Sequence, residues 1–218
     1  MASFIVTKKK VYWSKKTDNH TSIVEENKLK ESDVRGNITL VRTEITPPDR
    51  DYRLPIKKWV FRTDQDLLPD WYDKKEAEKR CRIALKSWYK ECVIPANKTI
   101  PELKSNIKVL LGTVETVWDG GTVQEVWGGT VQKVRDGGTV QKVLSGGTVQ
   151  KVWDGGTVQE VRDGGTVQAV LNGGTVQEVR DGGTVITYTA LPIEILKSAN
   201  AVIVDRSGKM VVCRTGKK

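Results

Sequence analysis

The chain has one histidine, three cysteines and no long apolar run among its 218 residues, and each shortage removes a class of protein. With His20 alone, a histidine-based metal centre or catalytic triad has too few members. Cys81, Cys92 and Cys213 are too few and too scattered for a disulfide framework or a zinc site, so no structural metal or other cofactor is expected. A reducing compartment is the natural setting for such a chain. No stretch approaches the ~18 apolar residues of a membrane span. The opening MASFIVTKKK has too short an apolar segment for a secretory signal. Apolar residues make up 38 % of the chain, slightly low but sufficient for folded domains, and the length suits one ordinary domain or two small ones. The reading is a soluble protein with no membrane partner.

Positive charge is present but unevenly placed. The net charge is +9. Residues 1–110 carry 24 basic and 16 acidic side chains, residues 111–190 carry 6 and 9, and residues 191–218 carry 6 and 2. The two ends are basic and the middle is mildly acidic, so any phosphate-binding argument rests on the ends.

The middle is a repeat. From Gly112 the chain runs through nine units of the form GTVQxVxDG. Val114, Val123, Val131, Val140, Val149, Val158, Val167, Val176 and Val185 each follow a threonine, nine residues apart except for one step of eight at Trp127-Gly128-Gly129. A second valine follows three residues later in eight units, and Tyr188 takes its place in the ninth. A short fixed period of this kind is the signature of a solenoid. A helix is excluded because a Gly-Gly pair in every unit would cost about 2 kcal/mol per repeat, and Thr and Val favour strands. Each unit divides into two three-residue strands, Thr-Val-Gln and x-Val-x, with the central valine inward. The Asp-Gly-Gly or Asn-Gly-Gly corner supplies the positive φ of a sharp turn. Two units close one coil of about 18 residues with four inward valines. The fold expected over 111–190 is a parallel β-helix, right-handed like most parallel crossovers, of roughly four and a half coils and about 20 Å long.

Stacked coils align their outer side chains. Thr113 and its equivalents form one ladder, and Gln124, Gln132, Gln141, Gln150, Gln159, Gln168 and Gln177 form another. The position after the second valine varies. At 18 residues per coil, Trp118, Arg135, Trp153 and Leu171 share one row, and Trp127, Leu144, Arg162 and Arg180 share the other. Trp beside Arg allows cation–π stacking, and an exposed row of this kind is a candidate protein-binding surface built on Trp118, Trp127, Arg135, Trp153, Arg162 and Arg180. Packing of the same side chains on another part of the protein or on a second copy is the plainer account. Calcium binding fits poorly, because Asp119, Asp136, Asp154, Asp163 and Asp181 precede the glycine pair where calcium-binding nonapeptides place Asp after it; turn capping accounts for them better. Ice binding would want Thr two residues on, where Gln stands. Mimicry of DNA would want a more acidic surface.

Residues 1–98 read as a separate small basic α/β domain. Segment 3–13 reads as a strand interrupted at Lys8, Lys9 and Lys10. Residues 20–30 read as a helix capped by Asp18 or Asn19, and 37–46 and 56–63 as strands, the first ended by Pro47-Pro48-Asp49. The strongest helix runs over 72–93, with Ala77, Cys81, Ala84, Leu85, Trp88 and Cys92 on one face and Asp73 and Glu76 placed as a capping box. Both helix cysteines then read as buried thiols. The basic face bearing Lys74, Lys75, Lys79, Arg80, Arg82 and Lys86 reads first as solvated and second as a nucleic-acid footprint. His20 reads as a capping or surface residue with no assignable acidic partner. Asp64, Asp66, Asp70 and Asp73 read as carboxylates favoured before a helix N-terminus rather than as metal ligands. Residues 99–110 read as a linker or first cap. Residues 191–218 form a C-terminal cap, with strands at 201–205 and 210–214 around Arg206-Ser207-Gly208-Lys209, protecting the last coil from edge-to-edge growth.

The VYWSKKTDNH opening, the RTEIT strand, the WVFRTDQDLLPDWYD segment, the WYKE helix and the tandem GGTVQ units together resemble uncharacterised proteins of bacteriophages and prophages that join a small N-terminal domain to a right-handed β-helix. The resemblance spans nearly the whole chain and carries no assigned activity. It implies a viral origin and action in the host cytoplasm. The expectation is a non-enzymatic protein that binds and blocks a host protein, a counter-defence inhibitor among the options, with a homodimer the expected assembly. A nucleic-acid-binding protein using the basic N-terminal domain, with Trp13, Trp59, Trp71, Trp88 and Tyr89 interleaved, is the alternative, and a virion tail or spike component the third. A glycan-cleaving enzyme needs paired acids in a groove, for which the regular ladders offer no obvious pair.

Overall fold

The computed structural model describes residues 1–32, 37–191, 195–208 and 212–215. The chain divides into two compact units, Met1–Cys92 and Val93–Lys218.

The first unit is a four-stranded antiparallel sheet with two helices. Its elements are β1 (Ala2–Thr7), β2 (Val11–Tyr12), α1 (His20–Glu26), β3 (Leu40–Thr46), β4 (Val60–Thr63) and α2 (Lys74–Cys92), and the sheet order is β2-β1-β3-β4. The first predicted strand is in fact a hairpin. Three adjacent lysines repel one another and hold water, so they take the tip, which is closed by Thr7 N–H donating to the Lys10 carbonyl at 2.9 Å. Over 56–63, only Val60–Thr63 is strand; after Pro55, Ile56–Lys58 forms a single 3-10 turn instead. Asn19 caps α1, its side chain accepting from Ser22 N–H at 3.0 Å. Asp73 caps α2 in the same way, accepting from Glu76 N–H at 2.8 Å. The buried face of α2 carries Ala77, Cys81, Leu85, Trp88 and Cys92 as the helical spacing requires, and Ala84 is half-buried at its margin. Trp88 packs edge-on against Trp59 at 6.1 Å, and Trp59 meets Tyr52 at 5.5 Å. Both helix cysteines are buried, and neither forms a disulfide among the described residues.

The second unit is a β-solenoid of about six turns. Its strands are β5 (Val93–Ile94), β6 (Thr99–Leu103), β7 (Asn106–Leu110), β8 (Thr113–Val117), β9 (Thr122–Trp127), β10 (Thr130–Val134), β11 (Thr139–Leu144), β12 (Thr148–Val152), β13 (Thr157–Val161), β14 (Thr166–Val170), β15 (Thr175–Val179), β16 (Thr184–Thr187), β17 (Val202–Asp205) and β18 (Val212–Thr215). Successive repeats alternate between two parallel sheets, ordered β17-β16-β14-β12-β10-β8-β6 and β15-β13-β11-β9-β7-β5. One coil is thus two units: Thr130 lies beside Thr148, and Thr148 beside Thr166. Residues 99–110, expected as a linker or first cap, are β6 and β7, and they sit in these two sheets. They lack the GTVQ signature but keep its inward spacing, with Ile100 and Leu103 beside Val114 and Val117, and Ile107 and Leu110 beside Val123 and Val126.

The seven repeat strands that carry a glutamine after the first valine are bent at it. The ladder between β10 and β12 pairs Val131 with Val149 and Lys133 with Lys151 but skips Gln132 and Gln150. The bend turns both valines of a unit inward although they are three residues apart, and the core valines from Val114 to Val170 are fully buried. The step of eight residues is absorbed in the turn after Trp127, because Thr130 and Val131 still lie beside Thr113 and Val114. In the ninth unit, Tyr188 does not take the second inward place. The ladder slips by one residue, Thr187 lies beside Val170 and is fully buried, and Tyr188 is exposed. A slot sized for valine accepts its isostere threonine, whose hydroxyl accepts from Thr189 N–H at 3.1 Å, and rejects a phenol.

The corners explain the Asp-Gly-Gly pattern. Asp136, Asp154 and Asp163 adopt φ of 49°, 46° and 50°, a left-handed conformation that Asp and Asn tolerate better than most residues. The turns stack as the strands do: Asp136 N–H donates to the Asp154 carbonyl at 2.7 Å, and Asp163 N–H to the Asp181 carbonyl at 2.7 Å. The two glycines serve different needs. The first, as at Gly146, has φ +78° and open space around it. The second, as at Gly156, leaves no room, since a Cβ there would lie 2.1 Å from the Val134 carbonyl oxygen. At the C-terminal end, β17 runs parallel to β16, and β18 pairs antiparallel with β17, closing that sheet edge with a hairpin. The expected turn is described as far as Gly208; Lys209 and Met210 lie outside the described residues.

Candidate functional site

The variable position of the repeat forms two rows, as the coil length requires. In the first, Arg135 N–H donates to the Val117 carbonyl at 3.2 Å, Trp153 N–H to that of Val134 at 3.1 Å, and Leu171 N–H to that of Val152 at 2.9 Å. This backbone ladder places the side chains one above another. The Arg135 guanidinium lies 4.8 Å from the Trp118 ring centre and 4.9 Å from that of Trp153. Its Nε is also 2.5 Å from Asp136 Oδ2, and a terminal nitrogen is 3.9 Å from Asp154 Oδ2. The result is a Trp–Arg–Trp sandwich pinned by two turn carboxylates. The indole N–H groups of Trp118 and Trp153 have no acceptor among the described residues. The rings are therefore held by the guanidinium between them rather than by hydrogen bonds of their own.

The second row is ionic. Leu144 lies beside Trp127 and is buried, so it is not part of an exposed stripe. Trp127 donates to Glu125 at 2.9 Å. Arg162 and Arg180 share Glu160, each with Nε 3.3 Å from its Oε1, and Arg180 also pairs with Glu178 at 2.7 Å. Trp118, Trp127 and Trp153 are all half-buried rather than exposed, and each lies against a neighbour in an adjacent coil: Arg135 for Trp118 and Trp153, Leu144 for Trp127. All three repeat arginines already face carboxylates, which suits contact with a protein better than contact with a phosphate backbone.

The basic residues of α2 are not one surface. Arg80 donates to the Thr7 carbonyl at 3.1 Å, and Arg82 donates to Glu78 at 2.8 Å and to the Trp59 carbonyl at 3.2 Å. Both are built into the unit. Lys79 lies 3.8 Å from Glu76, and Lys74, Lys75 and Lys86 are exposed. A more shaped basic feature lies at the β1–β2 tip. Lys8, Lys9 and Lys10 border a cleft of about 420 Å³ whose other walls include Tyr12, Asn37 and Trp71. Trp71 is fixed there by donating to the Ile38 carbonyl at 2.9 Å. The lysine run was visible in the sequence; its meeting with Trp71, sixty residues away, was not.

His20 does have acidic company. Its Nδ1 lies 3.3 Å from Asp64 Oδ2, and Glu44 completes a group of three whose ligand atoms all lie within 4.8 Å of one another. The acidic run before α2 thus splits into two uses, since Asp73 caps the helix while Asp64 turns to the histidine. Burial pushes the Cys81 thiol up to about 11, against a weaker opposing hydrogen bond from Thr43, so this cysteine is a packed thiol and not a nucleophile. No helix among the described residues is long and apolar enough to cross a membrane. No family model, curated protein or solved structure matches the chain.

Proposed function

We propose that the chain is a non-catalytic binding protein of bacteriophage origin that acts in the host cytoplasm by occupying the surface of a host protein, with a defence factor among the targets the resemblance allows. The observation that supports this reading is the Trp118–Arg135–Trp153 sandwich. Trp and Arg are the residues most often found at the energetic centres of protein interfaces. Here they are stacked in place before any partner arrives, so little side-chain freedom remains to be lost on association. The regular ladder beneath gives the row a rigid base.

The test is capture of partners from bacterial lysate by the tagged chain, with and without nuclease, followed by mass spectrometry. One dominant protein that survives nuclease and is lost with Trp118→Ala and Trp153→Ala supports the reading. A broad set of nucleic-acid-bound proteins that vanishes with nuclease refutes it. That outcome would favour the second reading, single-stranded nucleic acid at the cleft of Lys8, Lys9, Lys10, Tyr12 and Trp71, where lysines meet phosphates and aromatic rings stack on bases. Binding there would weaken steeply with salt.

A further inference from the structure

His20, Glu44 and Asp64 come from three separate pieces of the first unit. His20 opens α1, Glu44 lies in β3, and Asp64 follows β4, anchored by its own N–H to the Arg42 carbonyl at 2.9 Å. The imidazole is 10 % exposed. Its Nε2 lies 3.1 Å from the Thr43 carbonyl oxygen. A carbonyl only accepts, so Nε2 carries a proton. In the neutral ring, Nδ1 then presents its lone pair, and what it faces at 3.3 Å is a carboxylate oxygen. Two lone pairs do not face each other without a positive charge between them.

That charge is either a proton on Nδ1 or a metal ion. A charge-assisted N–H···O bond closes to about 2.7–2.9 Å, and 3.3 Å is longer. The same separation matches the edge of a tetrahedron whose nitrogen and oxygen ligands stand about 2.0–2.2 Å from its centre. A proton needs one carboxylate. Here a second stands alongside, with its ligand atom within 4.8 Å of the other two, and Glu44 is half-buried without an ion pair among the described residues. The Thr43 carbonyl fixes the ring in the tautomer that frees Nδ1, an arrangement that recurs behind metal-bound histidines.

We propose that His20 Nδ1, Glu44 and Asp64 form a binding site for one divalent metal ion, with zinc the ion best matched to one imidazole and two carboxylates. Asp64 is 58 % exposed, so the remaining coordination position faces water. The ion ties the start of α1 to the middle of the sheet and to the segment after β4. This site is independent of the solenoid rows.

The experiment is calorimetric titration of the full chain with zinc chloride near neutral pH, with magnesium chloride as the control, alongside nitrogen NMR of the imidazole. His20 is the sole histidine, so its two ring nitrogens are read without assignment. The expected result is one zinc site, a shift of Nδ1 to a metal-bound value with Nε2 still protonated, and affinity reduced at least ~10-fold in both Glu44→Gln and Asp64→Asn. Magnesium binds far more weakly. Absence of zinc binding overturns the proposal. So does zinc binding undiminished in both variants, which would place the ion elsewhere. An imidazole protonated on both nitrogens and unchanged by zinc also overturns it and assigns the cluster to a proton. The NMR arm uses the unaltered chain, so the answer does not depend on the variants folding.

Discussion

The N-terminal unit buries its surface with large side chains, each used once; the solenoid buries its own with one small side chain used many times. In the first, Phe4, Trp59 and Trp88 fill a core in which no position resembles another. In the second, valines from Val114 to Val185 line the interior in register, and each coil is the template for the next. The contrast concerns where structural information resides. In the first unit it lies in individual residues and is lost with any one of them. In the second it lies in a pattern, and a single valine is one of many equivalents. What is not redundant in the solenoid is the backbone of the corner, where coils approach too closely for any side chain.

The largest expected effect tests the first half of that contrast. Trp88→Ala empties a fully buried site and should cost about 3–5 kcal/mol. Hydrogen exchange should show lost protection across Met1–Cys92 and preserved protection in the solenoid; loss in both units would break the comparison. Gly156→Ala comes next. Its Cβ meets a backbone carbonyl at 2.1 Å, so a cost of about 3 kcal/mol is expected, at the upper end for overpacking. Gly146→Ala has open space and only the left-handed backbone to oppose it, at about 1–2 kcal/mol. Urea unfolding of the two variants separates close approach from conformational strain, and equal costs would show that the distinction between the two glycines is mistaken.

The third effect is on pH. Burial holds the Cys81 thiol neutral, raising its titration from near 9 to about 11. The folded state therefore keeps a proton that the unfolded chain gives up. The resulting stability is present below about pH 9 and declines as pH rises towards 11, by on the order of 2 kcal/mol. Cys81→Ala should flatten that alkaline decline while lowering stability at neutral pH. An unchanged pH profile would place the titration elsewhere. The smallest effect is at the surface. Arg135→Gln removes the cation between Trp118 and Trp153 at a cost of about 1 kcal/mol. Tryptophan fluorescence should report the loosened rings with the solenoid intact.

The two units were unequally legible in the sequence for the same reason. The repeat announced its coil length, its inward valines and its outer rows, because one local rule applied nine times averages out exceptions. The coils made by 93–110 were missed. Ile100 and Leu103, like Ile107 and Leu110, keep the inward spacing of three, but the Gln is gone from both strands and the Thr survives only as Thr99, with Asn106 in its place in the next. In the first unit, helix α2 was readable from its spacing and its cap. The hairpin at Lys8–Lys10 was hidden inside what looked like one strand, because only pairing distinguishes an interrupted strand from two. The candidate metal cluster was invisible for a stronger reason. Its three residues lie 24 and 20 positions apart along the chain, and only the sheet brings them together.

The alternation of successive strands between two sheets also gives the array a parity. Tandem copies are readily gained or lost when a gene is replicated, and the interior would accept either change among the first eight units, since each offers the same two valines. The outside would not. Loss of one unit, such as 139–147, would move every later strand to the opposite sheet, setting Arg162 against Arg135 and Trp153 beside Trp127. Loss of two would return each later strand to its own sheet. A lineage that depends on a particular row of side chains is thus expected to change length in even steps, and its relatives should differ by whole coils rather than by single repeats.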